Sequence, residues 1–115
     1  MITIHGQVPS KSNGYKIGNN RLYKSKELKD YEHFFYIKML QYRHLFIEPI
    51  KDKFALEIFV YFQSNRSDLD NSAKIILDCL QTCKVIENDR QCYSLLMHKF
   101  IDKNNPRIEF EITKL

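Results

Sequence analysis

The stretch 54–62 alternates between apolar positions and more varied ones. Its uniformly apolar positions are Phe54, Leu56, Ile58, Val60 and Phe62. A period of two is typical of a β-strand with one buried face, so we predict the central strand of a sheet here. The stretches 93–101 and 107–113 predict two further strands, and the polar segment 102–106 between them predicts a hairpin connection.

Two other stretches repeat apolar residues every three or four positions, which is the period of an α-helix. The first runs from about Lys26 to Phe46, with Ser25 at the N-cap position and Pro49 just beyond the end. The second runs roughly from Asp70 to Thr82. The predicted inner face of this second helix consists of Leu69, Ala73, Ile76, Leu77 and Leu80.

The N-terminal region loses any regular pattern after a short first strand. Gly6, Gly14 and Gly18 all fall here together with Pro9, so we predict a long loop. The element order is then strand, helix, strand, helix, strand, strand. This order indicates an α+β fold in which two helices pack on a mixed β-sheet, and 115 residues indicate a single domain over 1–115.

Composition narrows the class of protein. The chain has no apolar run of about 18 residues, and its first residues lack the basic and apolar regions of a signal peptide. We therefore expect a cytoplasmic protein that does not contact a membrane. Three cysteines, an odd count, predict free thiols rather than a disulfide framework. The net charge of +4 favours a polyanionic partner.

Basic residues concentrate in two places, the predicted loop and the two sides of one acidic cluster. We call residues 11–24 of the loop the basic arm. Such residues interleaved with tyrosines suit phosphate contacts and base stacking, although a solvated charged loop is the alternative. The two arginines that flank the acidic cluster could hold phosphates or merely screen carboxylates. The candidate DNA contacts are Lys11, Lys16, Arg21, Lys24, Arg66 and Arg90.

The segment 68–78 concentrates the ionisable chemistry of the chain. Asp68 and Asp70 stand two residues apart where the chain enters the second helix, so their side chains point the same way. Two unpaired carboxylates this close repel each other unless a cation intervenes, and magnesium or manganese prefers such oxygen ligands. Lys74 lies one helical turn further on, where its charge could stabilise a phosphate, and Asp78 lies one turn beyond.

Asn71 and Asp89 complete the candidate site. Asn71 could position a carboxylate or a water molecule, and Asp89 reaches the site only if the chain folds back after the second helix. These residues predict metal-activated water attacking a phosphodiester in line. Structural roles are the alternative: an aspartate could cap the helix, Lys74 could pair with Asp78, and 88–89 could form a turn.

Spacing excludes several other sites. Ala73 stands where a calcium-binding EF-hand loop needs glycine, and the chain contains no Gly-x4-Gly-Lys phosphate loop. The cysteines and His98 lack the spacing of a zinc knuckle, so we interpret them as ordinary side chains.

The spacing of the candidate site resembles that of the RusA-type Holliday-junction resolvases, which are crossover junction endodeoxyribonucleases. The matching pattern is Asp68-x-Asp70-Asn71-x-x-Lys74, then Asp78, then Asn88-Asp89-x-Gln91. The opening residues 6–13 and the element order are also similar. The resemblance implies a RusA-like fold and a homodimeric endonuclease that uses Mg²⁺, with Mn²⁺ as an alternative ion. Its implied activity is paired, symmetric nicking of a four-way DNA junction in recombination and repair.

The resemblance also implies the role of each site residue. Asp68, Asp70 and Asp89 would bind the metal and, with Lys74, would be catalytic. The supporting residues would be Asn71 and Asp78, while Asn88 stands where the family often has an acid. A phage or prophage origin is implied, and hence a bacterial or phage-infected cell. Two alternatives remain open: a recombination accessory protein that binds branched DNA without cleaving it, and a less selective structure-specific nuclease.

Overall fold

The structure is a computed structural model that describes residues 1–10, 14–19 and 21–115. Its strands are β1 (Ile2–His5), β2 (Tyr15–Gly18), β3 (Arg21–Lys24), β4 (Phe54–Phe62), β5 (Cys92–Ile101) and β6 (Arg107–Lys114). Its α-helices are α1 (Lys26–Met39) and α2 (Leu69–Thr82), and short 3-10 helices lie at Leu40–Leu45 and Asp89–Gln91. The predicted α+β class and the order of elements around the main sheet are confirmed.

The N-terminal region contains more regular structure than a loop. β2 and β3 pair antiparallel as a separate two-stranded sheet, so the predicted long loop is wrong for these residues. Strands of four residues are too short for their alternation to stand out among glycines and lysines. The basic arm is therefore in large part a hairpin.

The main sheet has the strand order β1-β6-β4-β5. β4 pairs parallel with β5 and antiparallel with β6, so the predicted hairpin between β5 and β6 is wrong. The segment 102–106 instead crosses the end of β4, where the Asp102 backbone N–H donates to the Phe62 carbonyl at 2.8 Å. Strand β4 is mostly apolar on both faces, which suits a central position with a partner on each edge.

One face of β4 forms the centre of the core. Every second residue from Phe54 to Phe62 is buried, and these side chains pack with buried residues of α1, α2, β1 and β6. The largest fully buried side chains in the cluster include Phe35, Phe54, Phe62 and Phe110. Both helices therefore cover the same face of the sheet. We call the opposite face the open face.

Both helices differ in detail from the prediction. The Ser25 hydroxyl accepts the Leu28 backbone N–H at 3.1 Å and caps α1 as expected, but the α-helix ends at Met39 and continues as the 3-10 helix. The most buried positions of α2 are Ser72, Ile75, Ile76, Cys79 and Leu80. Ala73, Leu77 and Leu69 are only half-buried, because α2 turns Ser72 inward, where its hydroxyl donates to the Asp68 carbonyl.

The three cysteines are free, as predicted. Cys79 is buried, while Cys83 and Cys92 are half-buried. Burial raises the pKa of the Cys83 thiol to about 11, so this thiol is protonated near neutral pH. Neither helix in the described part of the chain is long and apolar enough to cross a bilayer.

Helix α2 ends in a Schellman motif centred on Lys84. The Lys84 N–H donates to the Gln81 carbonyl at 3.1 Å, and the Val85 N–H donates to the Leu80 carbonyl at 3.0 Å. Val85 and Leu80 are both buried, which supplies the apolar contact of this motif. Lys84 adopts a left-handed backbone conformation in this turn, with φ +63°. Glycine adopts this conformation without a steric penalty.

We expect Lys84→Gly to stabilise the protein by about 1 kcal/mol, because the Cβ is removed from a left-handed position. Urea unfolding at 25 °C measures the change in the free energy of unfolding. Lys84→Ala is the matched control, since it removes the same charge but keeps the Cβ. Equal stability of the two variants would contradict this account of the turn.

Candidate active site

Two of the predicted catalytic carboxylates lie at the start of α2. Asp68 is the N-cap residue by backbone conformation, but its side chain accepts no capping hydrogen bond among the described residues. The Asp70 Oδ1 accepts the backbone N–H of its neighbour Asn71 at 2.8 Å. Both carboxylates lie at the positive end of the helix dipole.

These carboxylates line a cleft of about 880 Å³. It lies among the start of α2, the loop after β4, the segment 9–10 and the β2–β3 hairpin. Its charged side chains are Arg66, Asp68, Asp70 and Lys74. Its apolar and aromatic side chains are Pro9, Tyr15, Leu22 and Phe62. The cleft thus combines oxygen ligands, two cations and ring surfaces.

The N-terminal segment is tied to the cleft by hydrogen bonds. Gly6 has φ +117°, a backbone that favours glycine, and its N–H donates to the Pro106 carbonyl at 2.8 Å. The Asn71 side-chain amide donates to the Pro9 carbonyl at 3.2 Å. Asn71 therefore has a visible supporting role, which is to hold the segment that borders the cleft.

Lys74 lies among carboxylates on the flank of α2. Its Nζ donates to Asp78 Oδ1 at 2.9 Å and lies 3.9 Å from Asp89 Oδ2. The hydrogen bond to Asp78, followed by the charges of Asp78 and Asp89, raises the pKa of Lys74. The structural pairing with Asp78 is therefore present, and the same ammonium group also lines the cleft. Lys74 stays positively charged at physiological pH.

The chain does fold back after α2, but Asp89 meets the middle of the helix rather than its start. The Asp89 backbone N–H donates to Gln81 Oε1 at 3.2 Å. A capping box fixes the turn: Asn88 Oδ1 accepts the Arg90 N–H and Gln91 Oε1 accepts the Asn88 N–H, each at 3.0 Å. The turn formed by Asn88-Asp89-x-Gln91 thus places the Asp89 carboxylate near Lys74.

The donor set fits a magnesium ion held by few protein ligands. Across residues 1–10, 14–19 and 21–115, no three His, Cys, Asp or Glu side chains are grouped to hold a metal. Magnesium usually takes one or two carboxylates together with phosphate oxygens and water. Asp68 and Asp70 share the cleft and match that need, whereas Asp89 stands with Lys74. The assignment of all three aspartates as metal ligands stays a prediction.

The candidate DNA contacts fall into three groups. Lys11 lies outside the described residues. Lys16 and Arg21 are exposed on the β2–β3 hairpin, Arg66 lines the cleft, and Arg90 is exposed in the turn that carries Asp89.

The charge of Lys24 is engaged by a carboxylate on α1. Its Nζ donates to Glu32 Oε2 at 2.7 Å. This hydrogen bond raises the pKa of Lys24. A phosphate would have to compete with Glu32 for this ammonium group.

The pattern of the sequence does not reveal the role of Lys99. From β5 its Nζ donates to the carbonyls of Ser67 at 2.6 Å and Asn65 at 3.1 Å. It thereby fastens the loop that leads directly into Asp68. The only available signal was a lone charge within an apolar strand, which is not specific.

The comparisons with known proteins bear on this site. The family model for endodeoxyribonuclease RusA matches residues 6–113, which include every candidate site residue. The chain belongs to the RusA endodeoxyribonuclease family. A comparison with curated proteins gives no significant match. This RusA-family chain is therefore a DNA endonuclease, a hydrolase of phosphodiesters, and its family acts on junction DNA.

We expect Asp78→Asn to move the titration of Lys74 to lower pH, because it removes the nearest negative charge and leaves only a neutral amide oxygen to accept the hydrogen bond. Side-chain NMR of ¹³C-labelled lysine measures this shift directly. Asp30→Asn, which neutralises an exposed carboxylate on α1, is the control and should leave the Lys74 titration in place. An unmoved titration in Asp78→Asn would show that this ion pair does not persist in solution.

Proposed function

We propose that this protein resolves four-way DNA junctions by paired, symmetric nicks that depend on Mg²⁺, in recombination and repair within a bacterial or phage-infected cell. The observation that carries the proposal is the cleft that joins Asp68, Asp70 and Lys74 beside a basic hairpin. Membership of the RusA family supplies the class of reaction. The remaining steps concern how this chain performs it.

The residues of the cleft would have different roles in hydrolysis. Asp68 and Asp70 would hold Mg²⁺, or Mn²⁺ in its place. The bound ion would supply an activated water and positive charge next to the scissile phosphate. Asp68 is suited to this role because, among the described residues, its carboxylate accepts no capping hydrogen bond from α2. Asn71 keeps the bordering segment 9–10 in position.

Lys74 provides the fixed positive charge of the site. Its ammonium group, which stays protonated, can donate to a phosphate oxygen or to the leaving oxygen as negative charge develops. Asp78 and Asp89 restrict the positions of its long side chain, which otherwise samples many rotamers. In this arrangement Asp78 and Asp89 both hold the Lys74 side chain in place. Asp89 can in addition approach the metal when substrate binds.

Exposed cations would draw the DNA onto this side of the molecule. Lys16 and Arg21 lie on the hairpin, Arg66 in the cleft and Arg90 next to Asp89. Phosphate contacts of this kind position a duplex without reading its sequence, and they weaken as salt concentration rises. The substrate path therefore runs from the hairpin across the cleft to the turn at 88–91.

Paired nicks require two active sites, which we assign to a homodimer formed through the open face of the sheet. Leu96 and Phe100 on β5 are 53% and 43% exposed there. Tyr61 stacks on Phe100 with ring centroids 5.0 Å apart. Arg107 lies 3.7 Å from the Tyr61 ring centroid. A flat apolar surface of this type favours a protein partner over water.

A second copy of the chain suits this surface by charge. On the open face Glu57 is hydrogen-bonded to His98 and Glu109 to Arg107, so the charges of this face largely balance within one chain. A two-fold interface places each patch against the same patch of the partner, so a face with both signs can be self-complementary. Such an arrangement also places two clefts in one particle.

We expect Asp70→Asn to lose junction cleavage by about a hundredfold or more while still binding the junction, because one ligand of the metal is removed. The assay uses a plasmid with an extruded cruciform, in Mg²⁺, in Mn²⁺ or with chelator. Linear product reports paired nicks within one complex, and nicked circles report uncoordinated cuts. Asp30→Asn is the matched control and should cleave like the wild type.

Each alternative has its own outcome in this assay. Tight junction binding by the wild type without any cut would favour the non-cleaving accessory protein. Equal cleavage of a linear duplex would favour the less selective nuclease. Activity that persists in chelator would contradict the metal dependence.

We expect Leu96→Glu to shift the protein from dimer to monomer, because it places a carboxylate within the apolar part of the open face. Light scattering after size-exclusion chromatography measures the mass, and circular dichroism checks that the fold is retained. Ile47→Glu is the control, since Ile47 is 88% exposed away from the sheet. A folded Leu96→Glu dimer would place the interface elsewhere.

A further inference from the structure

The β2–β3 hairpin presents a pair of aliphatic side chains to solvent. Ile17 and Leu22 are direct cross-strand partners, and they are 81% and 68% exposed. Single exposed aliphatic residues are common and need no explanation. Here two stand opposite each other on a short hairpin, and Leu22 lines the cleft that holds Asp68 and Asp70.

The alternation of the strands separates the hairpin into two unlike faces. Tyr15, Ile17 and Leu22 share one face with Lys24. Glu32 holds the Lys24 ammonium group, and the part of this face nearest the turn is apolar. Tyr15 and Leu22 both border the cleft, so this apolar face adjoins the catalytic residues. Lys16 and Arg21 lie on the other face, which is basic.

Gly18 shapes the end of the hairpin. A Cβ built at Gly18 would lie 2.9 Å from Tyr23 Cε1, so glycine allows the Tyr23 ring to close against the strand. This contact lies on the basic face, because Gly18 pairs with Arg21 and Lys16 pairs with Tyr23. The ring covers the backbone there, whereas no comparable cover lies over Ile17 among the described residues, as its exposure shows.

We infer that Ile17 and Leu22 form an apolar wedge that enters the base stack at the branch point of the DNA. An intact duplex exposes mainly charged phosphates and polar groove edges, so an aliphatic pair finds little apolar surface there beyond thymine methyl groups. A branch point interrupts stacking, so base faces become accessible beside the phosphate to be cut. Proteins commonly kink DNA with Leu or Ile side chains inserted between base steps.

The neighbouring charges fit the same occupant. With the wedge among bases, Lys16 and Arg21 on the reverse face of the hairpin would meet the backbone phosphates that flank the branch. The wedge adjoins the cleft through Leu22, so the inserted side chains and the scissile phosphate lie within one continuous surface. This inference rests on the proposed function, and it assigns the preference for branched DNA to two residues that touch no metal.

The test compares Ile17→Ser/Leu22→Ser with the wild type in chelator, where no cleavage occurs. The probes are a four-way junction carrying 2-aminopurine beside the branch and a linear duplex of the same sequence. We expect the wild type to raise the 2-aminopurine fluorescence and the double variant to leave it low. We also expect about a tenfold loss in the affinity for the junction relative to the duplex.

Two control variants sharpen the result. Leu45→Ser/Ile47→Ser removes two exposed aliphatic residues away from the cleft and should behave like the wild type. Ile17→Val/Leu22→Met keeps the wedge apolar and should retain the fluorescence increase. Light scattering records the mass of every variant, because the aliphatic pair could instead contact a second copy.

Three outcomes would overturn the inference. The double variant could keep both the junction preference and the fluorescence increase, or it could lose them only because it becomes monomeric. The conservative variant could fail like the serine variant, which would rule out an apolar contact. The proposed function fails in a different way, namely when the wild type itself does not prefer the junction.

Discussion

The burial of one face of β4 is the interaction on which the active site depends. The backbone of β4 pairs with β5 on one edge and β6 on the other, and its inward side chains pack against both helices. Its last residue, Phe62, lies in the wall of the cleft, and the chain reaches Asp68 after a short loop. Lys99 on β5 fastens that loop, so the pairing of β4 with β5 sets the position of Asp68.

The carboxylates around the site fall into two groups. Asp68 and Asp70 are left at the helix start with few protein partners, while Asp78 and Asp89 are engaged by Lys74. Carboxylates of one sequence motif thus lie in two different environments, one pair at the start of α2 and the other pair around Lys74.

The strong periodic signals of the sequence predicted most of the fold correctly. The alternation along 54–62 and the three-to-four spacing of the helices depend on local burial, which sequence pattern reflects directly. The neighbours of β5 and β6 could not be predicted in that way, because strands joined by a short segment normally pair as a hairpin. Here β4 separates them, which is a property of the whole sheet.

The candidate site, like the fold, was predicted only in part from the sequence. The motif placed Asp70, Asn71 and Lys74 on α2 correctly, since a helix fixes their spacing. It did not predict that Asn88 and Gln91 form a capping box, that Lys84 adopts the left-handed turn or that Lys99 binds the loop before Asp68. These roles depend on contacts between residues that are distant in sequence. The hairpin was missed because its two strands are short.

The pairing of β1 with β6 has a consequence for synthesis in the cell. Ile2–His5 is synthesised about a hundred residues before its partner strand, Arg107–Lys114. Contacts between such distant segments form only after the intervening chain is available, and they close slowly. The segment beside the cleft is tied by Gly6 to Pro106. A nascent chain that does not yet include β6 therefore lacks the complete cleft, and we expect the capacity to cut DNA only after β6 has been synthesised.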